Sequence, residues 1–155
     1  MKGKMFKIKE LIEALKIEKN VYIQTHNFPD EDAVASAFAL KYLFEQFSIQ
    51  AELVYDGSLQ RISLKQMIKK LNIPIKNQRE YPITENHKII IVDGCKGNKN
   101  VTDLIGDEIA VIDHHITSHP PEDVKYFDIR PDYGSTGTII YSYYKELGIK
   151  LTKDV

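Results

Sequence analysis

The chain reads as an α/β protein: a doubly wound, mainly parallel sheet flanked by helices. Three observations predict this. Short β-branched runs alternate with helical segments of ten or more residues, the pattern of β–α–β crossovers. The run at residues 21–25 has the β-branched and aromatic character of a strand buried inside such a sheet. Acidic residues and histidines stand just past the ends of three runs, at the edge where open parallel sheets bind ligands.

Taken in order, residues 6–17 place Phe6, Ile8, Leu11, Ile12, Leu15 and Ile17 among Lys and Glu at spacings of two to four, which predicts an amphipathic helix with one buried stripe. Asn20 punctuates, and residues 21–25 form the first strand, with His26 just beyond it. Pro29 and Asp30 are start signals for a helix over 32–47, whose Ala33, Ala37, Leu40 and Phe44 recur at helical spacing. Its small residues allow close approach to a sheet. Residues 51–55 read as a second strand, 59–71 as a helix, and 72–86, with Pro74 and Pro82, as a looped connection. A third strand at 88–92 ends at Asp93, a short helix is expected at 101–105, and a fourth strand at 109–112 runs into Asp113. Residues 124–129 suggest another strand, and a last helix starts at Ser135 or Thr136 and stops at Gly148.

Composition narrows the function classes. With 21 Lys plus Arg against 22 Asp plus Glu, the formal net charge is −1, which argues against a basic nucleic-acid coat or a membrane binder. A chain of 155 residues forms one domain. Cys95 is the single cysteine, so no intramolecular disulfide can form and a cytoplasmic setting is the default expectation. The N-terminal segment carries Lys and Glu through its apolar positions and so lacks a signal-peptide core. No stretch approaches the roughly 18–20 apolar residues of a membrane span.

The strand-end groups are His26 with Asp30 and Asp32, then Asp93, then Asp113, His114 and His115. If the strands are parallel, the three clusters converge. Converging carboxylates without neighbouring lysines repel one another, and burying them is costly unless cations balance the charge. Mixed His and Asp donors suit Mn²⁺, and also Mg²⁺, Fe²⁺ or Co²⁺, whereas one cysteine excludes a four-thiolate zinc site. Two metals about 3.5–4 Å apart and bridged by a carboxylate are a general device for attacking phosphate esters. Each group also has an ordinary reading: His26 as a strand-end histidine, Asp30 as a helix cap, and Asp93 before Gly94 as turn chemistry. The consecutive Asp113, His114 and His115 resist such a reading, since a solvated turn has no need of them.

These motifs resemble the DHH phosphoesterase superfamily, which is named for the triplet standing here as Asp113-His114-His115. The first family motif appears as His26-Asn27-Phe28-Pro29-Asp30-Glu31-Asp32-Ala33 followed by Ser36, the second as Ile91-Val92-Asp93, and the third as Val111-Ile112-Asp113-His114-His115. Gly134-Ser135-Thr136-Gly137 is similar to a helix start in nanoRNase-like members. The resemblance spans residues 20–148 with the motifs in order, and it points to the RecJ-like, nanoRNase and pAp-phosphatase branch with a Rossmann-like domain. It implies that His26 and Asp30 hold one metal, that Asp32 and His114 hold the other, and that Asp93 bridges them, with two Mn²⁺ ions as cofactors. It further implies that His115 faces the substrate phosphate, and that Asp113 is either a ligand or the carboxylate that fixes an imidazole tautomer. A water activated by the two cations then attacks phosphorus in line.

Two departures stand out. Glu31 replaces a common glycine between the two aspartates, which adds charge without removing a ligand. The family continues into a fourth-motif aspartate and a substrate-binding domain, so residues 1–155 are expected to be the catalytic domain truncated before both. Asp128 and Asp132 are near the same edge, without a motif that makes either the missing ligand.

The leading expectation is a metal-dependent phosphoesterase acting on short oligonucleotides, cyclic-dinucleotide products or 3′-phosphoadenosine 5′-phosphate, with a homodimer as a possible assembly. Near-neutral charge favours short substrates over a long single strand, which needs a basic track. An inorganic pyrophosphatase of the same superfamily is an alternative. From other classes come a receiver-like signalling module that binds a divalent metal, which leaves the histidines unexplained, and a degenerate interaction scaffold. The backbone amides of residues 134–137 are a candidate phosphate cradle, or alternatively an ordinary cap made by Ser135 or Thr136. Cys95 is a weak nucleophile candidate, and Tyr141, Tyr143 and Tyr144 read as packing and surface residues.

Overall fold

The computed structural model describes residues 4–116 and 123–151. Within them lies one parallel sheet of seven strands: β1 (Lys4–Met5), β2 (Val21–Gln24), β3 (Ala51–Tyr55), β4 (Ile75–Asn77), β5 (Lys88–Val92), β6 (Asp107–Asp113) and β7 (Tyr126–Ile129). The helices are α1 (Ile8–Leu15), α2 (Glu31–Glu45), α3 (Ile62–Leu71) and α4 (Thr136–Leu147). The sheet order is β1-β7-β6-β5-β2-β3-β4, and every pairing is parallel.

From β2 the chain steps outward through β3 to β4, then returns to the other side of β2 and steps the opposite way through β5, β6 and β7. The reversal falls between β2 and β5. Diverging loops open a crevice at such a switch point, at the carboxyl ends of the strands. His26 follows one of these two strands and Asp93 the other.

Alternate strand residues feed two cores. Ile23, Leu53, Ile90, Val92, Ala110 and Ile112 face the helices, where the stripes Ile8, Leu11, Ile12, Leu15 of α1 and Ala33, Ala37, Leu40, Phe44 of α2 are buried. Tyr22, Val54, Ile89, Ile91 and Val111 form the other face, with Cys95, Val101 and Leu104 packed on it. Among the described residues this second face carries irregular chain rather than helix.

The short helix expected at 101–105 is absent. Its apolar spacing reflects Val101 and Leu104 docking on the sheet, while the backbone of Thr102 is bonded elsewhere. The Thr102 amide donates to Asn27 Oδ1 (3.2 Å), and its carbonyl accepts from Gln24 Nε2 (2.8 Å). The expected loop at 72–86 contains β4 and a 3₁₀ turn, Gln78–Glu80, because Ile75 pairs beside Leu53 at the open edge of β3. The first helix begins at Ile8 rather than Phe6, since Lys4 and Met5 pair with β7.

Candidate metal centre

Each side chain of the site is placed by a strand end or a helix start. His26 leaves β2, Asp30 and Asp32 open α2, Asp93 leaves β5, and Asp113 to His115 close β6. Asp30 is the N-cap of α2, its Oδ1 accepting from the Ala33 amide at 2.9 Å. The ordinary reading of Asp30 is thus correct, and the carboxyl still stands 3.7 Å from His26 Nε2.

Asp93 lies at the centre and is only 2% exposed. Its Oδ2 is 3.6 Å from His26 Nε2, and its Oδ1 is 3.5 Å from His114 Nε2. His114 Nε2 is also 3.9 Å from Asp32 Oδ2. The two oxygens of one carboxylate therefore face two separate donor groups, His26 with Asp30 and His114 with Asp32. Donor atoms of His26, Asp30 and Asp93 lie within 4.8 Å of one another, as do those of Asp93, His114 and His115.

The imidazoles are oriented by backbone carbonyls. His26 Nδ1 is 2.8 Å from Asn27 O, and His114 Nδ1 is 3.3 Å from Tyr133 O. A carbonyl only accepts, so each Nδ1 carries a proton in these bonds and each ring turns its Nε2 toward the carboxylates. The Nε2 atoms stand 3.5–3.9 Å from the carboxylate oxygens, at or beyond the reach of a direct hydrogen bond. Donors sharing one cation at about 2.0–2.2 Å sit roughly 3.0–3.5 Å apart, so this spacing closes on a divalent ion with small adjustments. The donor chemistry, all nitrogen and oxygen, fits Mn²⁺ and its hard neighbours.

Asp32 is held by the start of α4. Its Oδ2 accepts from the Thr136 amide and its Oδ1 from the Gly137 amide, both at 3.1 Å, while Ser36 Oγ donates to Oδ1 at 3.3 Å. The anion at this helix N-terminus is thus Asp32 itself, and the Thr136 and Gly137 amides are already engaged. Ser135 caps α4, accepting from the Thr138 amide, and Thr136 Oγ1 donates to Asp93 Oδ1 at 2.9 Å. Gly134 faces open space.

Asp113 turns back on its own turn. Its Oδ1 accepts from the His114 amide (2.8 Å), the His115 amide (3.3 Å) and His115 Nδ1 (2.6 Å). This is the arrangement that fixes a ring, and the His115 side chain remains 56% exposed at the mouth. Partial burial pulls the His115 pKa down, but the Asp113 hydrogen bond and charge outweigh it and leave the pKa raised.

Electrostatically the centre is strained. Burial, then the charge of Asp32, pushes the Asp93 carboxyl up to about 6, with Asp30 adding and with Thr136 and His26 opposing. Among the described residues, Asp30, Asp32, Asp93 and Asp113 pair with the histidines His26, His114 and His115. Glu31 points away to Arg61 and Ser63, which explains how a charge is tolerated at that position.

Several functional contacts were not legible in the sequence. Thr136 on Asp93 and the Tyr133 carbonyl on His114 link residues far apart in the chain, with no local spacing signal. Asp128 is buried and committed to Arg130, whose Nε and Nη2 each bind it at 2.8 Å, and to the Tyr143 hydroxyl. It serves the fold. Tyr144 is buried as well, its hydroxyl donating to Ala39 O. Cys95 is buried, and burial followed by the charge of Asp113 pushes its thiol up, away from the thiolate a nucleophile requires.

The chain is similar to known proteins. The model of the DHH family, N-terminal domain, matches residues 20–155. An uncharacterised protein of Methanocaldococcus jannaschii is 36% identical over 94% of this chain and 44% of its own length. A probable manganese-dependent inorganic pyrophosphatase of Bacillus licheniformis is 32% identical over 87% of this chain and 44% of its own. The crystal structure of an exopolyphosphatase-related protein from Bacteroides fragilis has the same fold, with a TM-score of 0.72 at 20% identity over 91% of this chain and 43% of that one. The chain thus spans less than half the length of these relatives. The family match takes in every element from β2 onward, and the chain belongs to the DHH family of the phosphoesterase superfamily, as its N-terminal domain.

Proposed function

We propose that this domain is the metal-binding half of a hydrolase that cleaves phosphodiester or phosphomonoester bonds of short oligonucleotides or small nucleotides. The observation that carries the reading is the double facing of one carboxylate: each oxygen of buried Asp93 looks at the Nε2 of a different imidazole, His26 or His114. Two divalent cations, manganese first and magnesium or cobalt as alternatives, would supply an activated water and neutralise charge at phosphorus.

In this reading His26, Asp30 and Asp93 Oδ2 hold one cation, and His114, Asp32 and Asp93 Oδ1 hold the other. The carbonyls of Asn27 and Tyr133 keep Nε2 of each ring turned inward. Thr136 fixes the rotation of Asp93, and the start of α4 fixes Asp32. Asp113 orients His115 through Nδ1, so the exposed imidazolium presents its remaining N–H to an oxygen of the substrate phosphate. Its raised pKa keeps that proton in place nearer neutral pH. A further domain, corresponding to the longer portion of the relatives, would complete the grip on the substrate.

A second reading, hydrolysis of inorganic pyrophosphate, is favoured by the identity with the Bacillus licheniformis protein. Calorimetry with Mn²⁺ tests the centre itself: two ions should bind per chain, and Asp93→Ala should weaken both. Absence of binding, or wild-type affinity in Asp93→Ala, overturns the reading. Manganese-dependent release of phosphate or mononucleotide from pApA, compared with turnover of pyrophosphate, then decides between the substrates.

A further inference from the structure

Between the candidate ligands His26 and Asp30 stands Phe28, which is 52% exposed. Its backbone is left-handed, with φ at 50°. A bulky aromatic residue in that region is an outlier, and such strain persists only where the surroundings impose it, most often at functional sites.

The surroundings here are specific. The Phe28 amide donates to Asp56 O at 3.0 Å, just past β3. On one side the ring lies against the backbone of Gly57: a Cβ added there would come within 2.9 Å of two ring carbons, so only glycine admits the ring. Gly57, at φ 82°, is itself pinned, its amide donating to Asp56 Oδ1 and its carbonyl accepting from Asn77 Nδ2, both at 2.9 Å. Asp56 Oδ2 accepts from Thr102 Oγ1 at 2.7 Å, which in turn ties it to Asn27. The ring is therefore a rigid surface, backed on one side and half open to solvent. Two residues of chain span at most about 7 Å, which places the Phe28 backbone that close to His26 and to Asp30.

We propose that Phe28 is a specificity-determining residue, a platform on which the planar base of a nucleotide stacks while its phosphate sits at the metal centre. Nothing in inorganic pyrophosphate can use such a surface. The inference rests on the metal-dependent phosphoester reading and chooses within it a base-bearing substrate.

The test titrates the Mn²⁺-loaded chain with AMP, ribose 5-phosphate and inorganic phosphate. One aromatic stack predicts that AMP binds at least about fivefold more tightly than ribose 5-phosphate. Phe28→Leu should remove that difference and Phe28→Trp should retain it, with Mn²⁺ and phosphate affinities unchanged in both. Phe28→Asn relaxes the left-handed backbone, so it should lose the preference while melting no lower than wild type, which separates loss of the platform from loss of the fold. Equal affinity of wild type for AMP and ribose 5-phosphate, or a preference surviving in Phe28→Leu, overturns the inference with the metal centre intact. Failure of the wild type to bind Mn²⁺ overturns the metal reading, and this inference with it.

Discussion

Replacing Asp93 by asparagine should stabilise the metal-free protein while destroying its response to manganese. The Asp93 carboxyl is pushed from its ordinary 3.8 up to about 6, first by burial and then by the charges of Asp32 and Asp30. Two pK units correspond to about 3 kcal/mol, and screening by water at the cleft mouth reduces this to about 2. The sign follows from proton release. The unfolded chain loses the proton near 3.8 and the folded chain only near 6, so the carboxyl's favourable contribution exists below about pH 4 and is lost as pH rises through 6. Asparagine never ionises, and its carbonyl oxygen can still accept from Thr136. In EDTA at pH 7.5, Asp93→Asn should melt about 4–8 °C above wild type, and the gap should shrink to roughly half by pH 5. Manganese at about 100 times its Kd should then stabilise wild type by about 2.7 kcal/mol for each ion bound and leave the variant unmoved. A variant that melts below wild type in EDTA at pH 7.5, or a gap independent of pH, would refute the account of Asp93 as a destabilised charge awaiting cations.

Two further substitutions separate the centre from the fold. Thr136→Val removes the hydroxyl that bonds Asp93 between two buried side chains, so urea denaturation should show a loss of about 1–2 kcal/mol and calorimetry a roughly tenfold weaker Mn²⁺ affinity. Arg130→Met strands Asp128 as a buried charge with only the Tyr143 hydroxyl. It should destabilise the chain by about 3 kcal/mol while leaving the Mn²⁺ stoichiometry of the folded protein unchanged, which denaturation and calorimetry at low temperature would check.

What could be read from the sequence was whatever is local along the chain. Strands β2, β3, β5 and β6 each carry a short apolar run, and the starts of α2 and α4 carry their caps in Asp30 and Ser135. The convergence of His26, Asp93 and His114 follows from parallel strands alone. Pairing at an edge was not legible, because β1 and β4 are two and three residues long and exist through their neighbours. Residues 101–105 misled for the opposite reason: helical spacing of Val101 and Leu104 is also the spacing of a chain folded onto a sheet. The amides at 134–137 read as a phosphate cradle or an ordinary cap; Ser135 makes the cap, and the Thr136 and Gly137 amides bind Asp32, some hundred residues away in sequence.

Among the described residues, the centre's negative charge is held by amides, a hydroxyl and histidines. Asp32 is bound by two amides of α4, Asp30 caps α2, Asp113 takes two amides of its own turn, and Asp93 takes one hydroxyl. Partial positive charge at helix starts offsets a carboxylate only in part, and dipoles held by the backbone cannot move in to fill the space between Asp93 and the two Nε2 atoms. A lysine placed there would satisfy the carboxylates permanently and raise stability, and its ammonium would compete with any divalent ion for the same oxygens. The same arrangement therefore predicts both properties at once: carboxylates ordered before any cation arrives, and a metal-free fold that is less stable at neutral pH than its core would allow.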